Sequence, residues 1–176
     1  MTFLALLLIH IGSAHAGVLN HLRTPGQFKV VANETKKNEK MLVGPRHEEI
    51  YISAQGGLAP EVARNAIDVE IDQIKLLYSP RRSPYAGEIS DLNKCDEQLK
   101  PIQFTMTILS NPAKGIVGGV SDRNSFGACN NESIAKIGAQ ILFFDSQNQE
   151  IVTVKIFARK GRKLDEIKKI IQELFE

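Results

Sequence analysis

The chain has 176 residues, 43% of them hydrophobic, enough for one domain with a substantial core. Its 22 basic residues nearly balance 20 acidic ones, and a net charge of +2 gives no general attraction to nucleic acid or to a membrane surface. Aromatic residues make up 6% and Trp is absent, which argues against a stacking platform for bases or sugars.

Residues 1–16 read as a secretory signal peptide. Phe3 to Ile11 is an apolar run with His10 inside it, and Ala14-His15-Ala16 follows as a small-x-small cleavage site before Gly17. The run is too short to span a bilayer as a helix, and no later stretch is long enough either. The expectation is an exported protein, periplasmic or extracellular, with one α+β domain over 17–176. In that setting Cys95 and Cys129 are expected to form a disulfide.

Gly17 to Gln27 contains Pro25-Gly26 and reads as a lead-in. Phe28–Ala32 and Glu49–Ser53 are short strand candidates, separated by a polar loop over Asn33–Lys40. Pro60 then opens a helix of about five turns, because the N–H that Pro lacks is unpaired at that position anyway. Ala63, Ile67, Ile71, Ile74 and Tyr78 recur at helical steps, with Arg64, Asp68, Asp72 and Lys75 mainly elsewhere on the cylinder. Ser79-Pro80 ends it.

Ile102 to Leu109 alternates as a strand, Asn111 to Gly115 reads as a turn, and Ile116-Val117 starts a short strand that Gly118-Gly119 bulges or stops. Ser133 to Lys160 is a β-hairpin. Ala135, Ile137, Ala139, Ile141 and Phe143 fall on one face of its first arm, and Val152, Val154, Ile156 and Ala158 on one face of its second. A closing helix carries Leu164, Ile167, Ile170, Ile171 and Leu174 as its apolar stripe. The expected fold is therefore an antiparallel four-stranded meander whose apolar face is covered by the helix from Pro60, with a C-terminal helix added. This order resembles the helix-on-curved-sheet arrangement of cystatin-like and NTF2-like domains. The likeness is one of architecture without a shared motif, so it implies no function.

Three stretches could carry recognition. Tyr78-Ser79-Pro80-Arg81-Arg82-Ser83-Pro84-Tyr85 offers Arg81 and Arg82 between two prolines, with Tyr78 and Tyr85 at its ends, a set suited to an anion or acidic partner unless the arginines pair with Glu88 and Asp91. Lys155, Phe157 and Arg159 alternate with the buried residues of the hairpin and so lie on the opposite sheet face, part of a basic cluster with Lys160, Arg162 and Lys163. The alternative for that cluster is an edge strand charged against aggregation. The loop holding Arg123 and Phe126 offers varied hydrogen-bonding groups beside Gly118 and Gly119. His47-Glu48-Glu49 reads as exposed charge.

No catalytic fingerprint, metal-ligand spacing or cofactor motif occurs. The reading is an exported, non-enzymatic binding or accessory domain, with no cofactor or metal, for a protein partner or a small anionic ligand. A small hydrolase or isomerase with a pocket between helix and sheet, and an inhibitor presenting a loop, are the alternatives.

Overall fold

The computed structural model describes residues 17–31, 38–77, 101–121, 134–159 and 161–176. The cleavage site, the cysteines, Tyr78, Arg81, Arg82, Tyr85, Arg123 and Phe126 lie outside these. A 3-10 turn at Val18–Asn20 precedes β1 (Lys29–Val31), β2 (Glu39–Val43), β3 (Glu49–Gly56), α1 (Pro60–Leu77), β4 (Ile102–Ile108), β5 (Asn111–Ser121), β6 (Ile134–Asp145), β7 (Glu150–Arg159) and α2 (Leu164–Phe175).

The class is α+β, with an antiparallel sheet and two helices, but the sheet has seven strands rather than four. Its order is β1-β2-β3-β7-β6-β5-β4. The four expected strands form one half as a meander. The N-terminal strands form the other half, joined through an antiparallel pairing of β3 with β7 that runs from Glu49–Phe157 to Gly56–Glu150. β7 is thus a central strand, not an edge, and the charged-edge explanation of its lysine and arginine does not hold.

A second correction concerns the helices. The face with Ile137, Ala139, Ile141, Phe143, Val152, Val154 and Ile156 is covered by α2, through Ile167, Ile170, Ile171, Leu174 and Phe175, and by Val18 and Leu19. Phe143 and Phe175 meet edge-to-face at 5.4 Å. α1 lies on the opposite face, where Ala63, Ile67, Ile71 and Ile74 pack on Ile116, Leu142 and Phe144. The cause is the run Ile141-Leu142-Phe143-Phe144, which is apolar at every position and therefore needs cover on both faces. Each fully buried side chain of this size contributes about 1.5–3 kcal/mol, so neither helix is dispensable.

The expected turn at Asn111–Gly115 is strand. The chain reverses one step earlier, at Leu109-Ser110, both with positive φ (48° and 64°), as a two-residue hairpin loop requires. Pro112 then pairs with Thr107. Residues next to such a loop exchange both hydrogen bonds, so the following pair exchanges none, and the N–H that Pro112 lacks would have pointed away from β4. Pairing of β5 with β6 begins only at Ala113. Gly118 and Gly119 neither bulge nor end β5; the irregularity falls at Val120/Ser121.

Opposite Phe104, β5 needs a glycine. A Cβ on Gly115 would sit 2.4 Å from Phe104 Cζ, inside a ring that is 8% exposed. Gly115→Ala is expected to lower unfolding free energy by about 1–3 kcal/mol, as overpacking does. Gly56→Ala, whose Cβ meets nothing nearer than 3.7 Å, should change it little in the same denaturant titration.

Candidate functional site

α1 packs over β5 and β6 and leaves the β2–β3–β7 part of its own face open. Strand pairing fixes what lies there. One row across the sheet is Met41–Tyr51–Lys155–Gln140, and the next is Glu39–Ser53–Thr153–Leu142. Neighbours in such rows have Cβ atoms about 4.5–5.5 Å apart. Together they make a trough of about 380 Å³ lined by Met41, Tyr51, Ser53, Thr153, Lys155 and Phe157 among others. It continues into a recess of about 300 Å³ beneath α1, with Ala66, Ile67 and Glu70 along one side; Ser53, Thr153 and Lys155 belong to both.

The polar groups around this trough are mostly committed. Gln140, 3% exposed, donates from its amide to Glu70 at 3.1 Å. Glu49 accepts from the Tyr51 hydroxyl at 2.9 Å and pairs with Lys136 at 3.3 Å. Burial, then that hydrogen bond and the Glu49 charge, push the Tyr51 phenol above its ordinary pKa, so Tyr51 is a neutral donor at pH 7. Lys155 differs: half-buried in mid-strand, it forms no hydrogen bond or ion pair among the described residues. The trough thus presents an ammonium and the hydroxyl-bearing residues Ser53 and Thr153 beside an aromatic pair, Tyr51 and Phe157, stacked edge-to-face at 5.8 Å. Such a set can hold an anionic group next to an apolar one.

Of the residues singled out in sequence, Lys155 and Phe157 come together here. Phe157 is 4% exposed and is part of the trough's buried wall rather than a free contact for a partner. Arg159 shares the face but lies four residues along the strand, about 13 Å away. It lines a separate recess of about 530 Å³ with Arg46, His47, Glu48, Arg162 and Glu166. Among the described residues no group of three His, Cys, Asp or Glu side chains is placed to hold a metal ion. Tyr51, Ser53, Thr153, Gln140 and Glu70 were not foreseen. Tyr51 and Ser53 alternate with the buried residues of β3, but nothing local says that β3 pairs with β7.

The second recess corrects the reading of His47-Glu48-Glu49 as exposed charge. Glu48 is 1% exposed. It is ion-paired with Arg162, which also reaches Glu166 at 3.4 Å, and it accepts the Arg46 backbone N–H at 2.9 Å. Glu166 in turn accepts the Lys163 backbone N–H at 3.0 Å and caps α2. Arg162 is therefore not one of a solvated basic cluster. It ties the turn after β2 to the start of α2.

No protein-family model matches the sequence, and no curated protein matches it either. Solved structures show a distant likeness of form. A protein of Bacteroides thetaiotaomicron VPI-5482 aligns at 10% identity and TM-score 0.47, over 87% of this chain and 41% of its own, so this chain spans about two fifths of that one. The Ran-binding protein Mog1p of Saccharomyces cerevisiae aligns at 11% identity and TM-score 0.44, over 87% of this chain and 77% of its own. A point mutant of Mog1 gives 10% and 0.44, over 86% and 77%.

The Glu48–Arg162 pair should be visible in acid. Burial would raise the Glu48 pKa, but the hydrogen bonds from Arg162 and from the Glu48 and Arg46 backbone N–H groups, with the Arg162 charge, outweigh it and hold the carboxyl below its ordinary value of 4.5. A lowered folded-state pKa adds stability that is complete above the unfolded value and lost as pH falls through the folded one. Glu48→Gln is expected to cost about 2–3 kcal/mol at neutral pH, less than a fully buried pair because Arg162 is 18% exposed. The gap between the two proteins should narrow as pH drops below 4.5, read by urea titrations across pH.

Proposed function

We propose that the protein is an exported, non-enzymatic binding or accessory domain that holds an anionic group in the trough over β3 and β7, either on a small ligand or on a protein partner. One observation carries this reading. Lys155 places an ammonium without a partner among the described residues beside Ser53 and Thr153, against the aromatic wall of Tyr51 and Phe157. The enzymatic alternative has less to rest on. Glu39, the carboxylate in the trough's own lining, is already engaged, and Glu49 and Glu70 nearby accept hydrogen bonds from Tyr51 and Gln140.

Export is supported by the apolar run before Ala14-His15-Ala16 and by the contacts made just after that tripeptide. Val18 and Leu19 are buried, and the Val18 backbone N–H donates to Glu150 at 3.1 Å. A cut before Gly17 would therefore leave these core contacts intact. Among the described residues no helix is long and apolar enough to cross a membrane.

Two measurements test these claims. A hydrogen bond to a charged group contributes about 1.5–3 kcal/mol, so Lys155→Ala should weaken binding about tenfold to a hundredfold. Native mass spectrometry of protein captured from its own source should show an anionic species on the wild type that Lys155→Ala loses without a change in melting temperature. Equal retention by both rejects the trough. For export, mass analysis of the secreted protein should give Gly17 as the first residue; intact protein beginning at Met1 in the cytosol rejects it.

A further inference from the structure

The sheet ends in two unlike edges. β1, over its described residues Lys29–Val31, begins with a charged residue, as edges protected from pairing often do. β4 has no such protection. Its seven residues, Ile102-Gln103-Phe104-Thr105-Met106-Thr107-Ile108, include no charge and no proline, and its pairing with β5 is regular throughout.

The hairpin register decides which backbone groups face outward. Ile108 and Asn111 flank the two-residue loop and exchange both bonds, so Ile108, Met106, Phe104 and Ile102 point their N–H and C=O groups toward β5. Gln103, Thr105 and Thr107 point theirs away from the sheet. Their side chains are exposed, and among the described residues nothing bonds to those outward groups.

We infer that β4 pairs with β4 of a second copy of this chain, antiparallel about a two-fold axis at Thr105, to make one continuous sheet. The strand is self-complementary in that register. Thr105 meets Thr105 of the second copy, Gln103 meets Thr107, Phe104 meets Met106, and Ile102 meets Ile108. Polar residues face polar ones on the α1 face and apolar residues face apolar ones on the α2 face, with a favourable sulfur–aromatic contact. All three outward residues fall in pairs that exchange two bonds, so every free donor and acceptor of the edge finds a partner. Ile102, 47% exposed in one chain, gains cover.

On the α2 face the cation at the edge is Lys168, whose ammonium lies 5.2 Å from the Phe104 ring centroid, where the ring face offsets part of its charge. The nearest cation on the α1 face is Lys114, which lies opposite Thr105 on β5 and is ion-paired with Asp68. The two copies of Lys114 would stand three strand spacings apart, about 14 Å, beyond the screening length at physiological salt. The trough is unaffected, since β5 and β6 separate β4 from β7.

Sedimentation equilibrium of the full chain tests this. Wild type should show twice the mass of one chain, dissociating on dilution. Thr105→Pro removes an outward N–H at the axis and none that β5 uses. It should raise the dimer Kd about a hundredfold, since two hydrogen bonds are lost per dimer. Its melting temperature, taken where wild type is dissociated, should not change. Wild type that is monomeric at every concentration overturns the inference, as does a dimer that Thr105→Pro leaves intact. If Thr105→Pro is itself unstable, Thr105→Cys decides. A hydrogen-bonded antiparallel pair has Cα atoms about 5.5 Å apart, within disulfide reach. Oxidation should then link two chains with the position-105 peptide joined to itself; a dimer that fails to form this link overturns the inference.

Discussion

The fold depends on one constraint, the burial of β6 on both faces. Even-numbered residues of β7 and odd-numbered residues of β6 turn to α2, while Leu142 and Phe144 turn to α1. An antiparallel sheet often needs only one cover. Here the Ile141–Phe144 run leaves no polar side to expose, so two helices, α1 from before β4 and α2 from the C-terminal end, close on β6 from opposite faces. The N-terminal strands attach to this centre through β3, whose Ile50, Ile52 and Ala54 extend the α2-side core.

The trough arises from the same constraint. α2 and the Val18–Leu19 segment share the work of covering one face, but among the described elements α1 alone faces the other and sits over β5 and β6. The sheet is seven strands wide, and neighbours are about 4.8 Å apart. A helix about 10 Å across covers only part of that width. The residues beyond it, Met41, Tyr51, Ser53, Thr153 and Lys155, are accordingly mixed rather than apolar. A concave surface beside a packed helix is a consequence of widths before it is a matter of chemistry.

What could be read from sequence was whatever is periodic over a short span. Both arms of the hairpin, the stripe of α1 from Ala63 to Ile74 and that of α2 from Ile167 to Leu174 are legible because burial repeats every two residues or every three to four. The failures were non-local or conformational. β2 is five residues long and begins in a charged stretch, so alternation has no room to show. Asn111-Pro112 has turn chemistry, yet the turn is made by Leu109 and Ser110, residues that rarely adopt positive φ and give no signal of it. Glu48 looked like exposed charge because its partner, Arg162, is 114 residues away. For the trough, sequence placed Lys155 and Phe157 on the correct face. It could not supply Tyr51 and Ser53, because the β3–β7 pairing joins segments about a hundred residues apart.

The treatment of charge across the sheet gives Lys155 its meaning. Lys136 is paired with Glu49, Lys114 with Asp68, and Arg162 with Glu48. Lys136 and Arg162 are largely covered, where removal from water would be costly without a counter-charge, and each has one; the Lys114–Asp68 pair is more exposed. Lys155 is on a central strand, between Tyr51 of β3 and Gln140 of β6. Its stem can lie along apolar surface while its ammonium reaches into the trough, as long basic side chains do. A hydrophobic residue at this position would extend the Tyr51–Phe157 wall and bury more apolar area. A lysine gives up that gain and leaves a positive charge on a half-enclosed surface, which favours an anion arriving from outside. The nearby carboxylates are engaged by other groups: Glu49 and Glu70 accept hydrogen bonds from Tyr51 and Gln140, and Glu39, in the trough's own lining, has an interaction of its own, so the charge of Lys155 is left for a group arriving from outside.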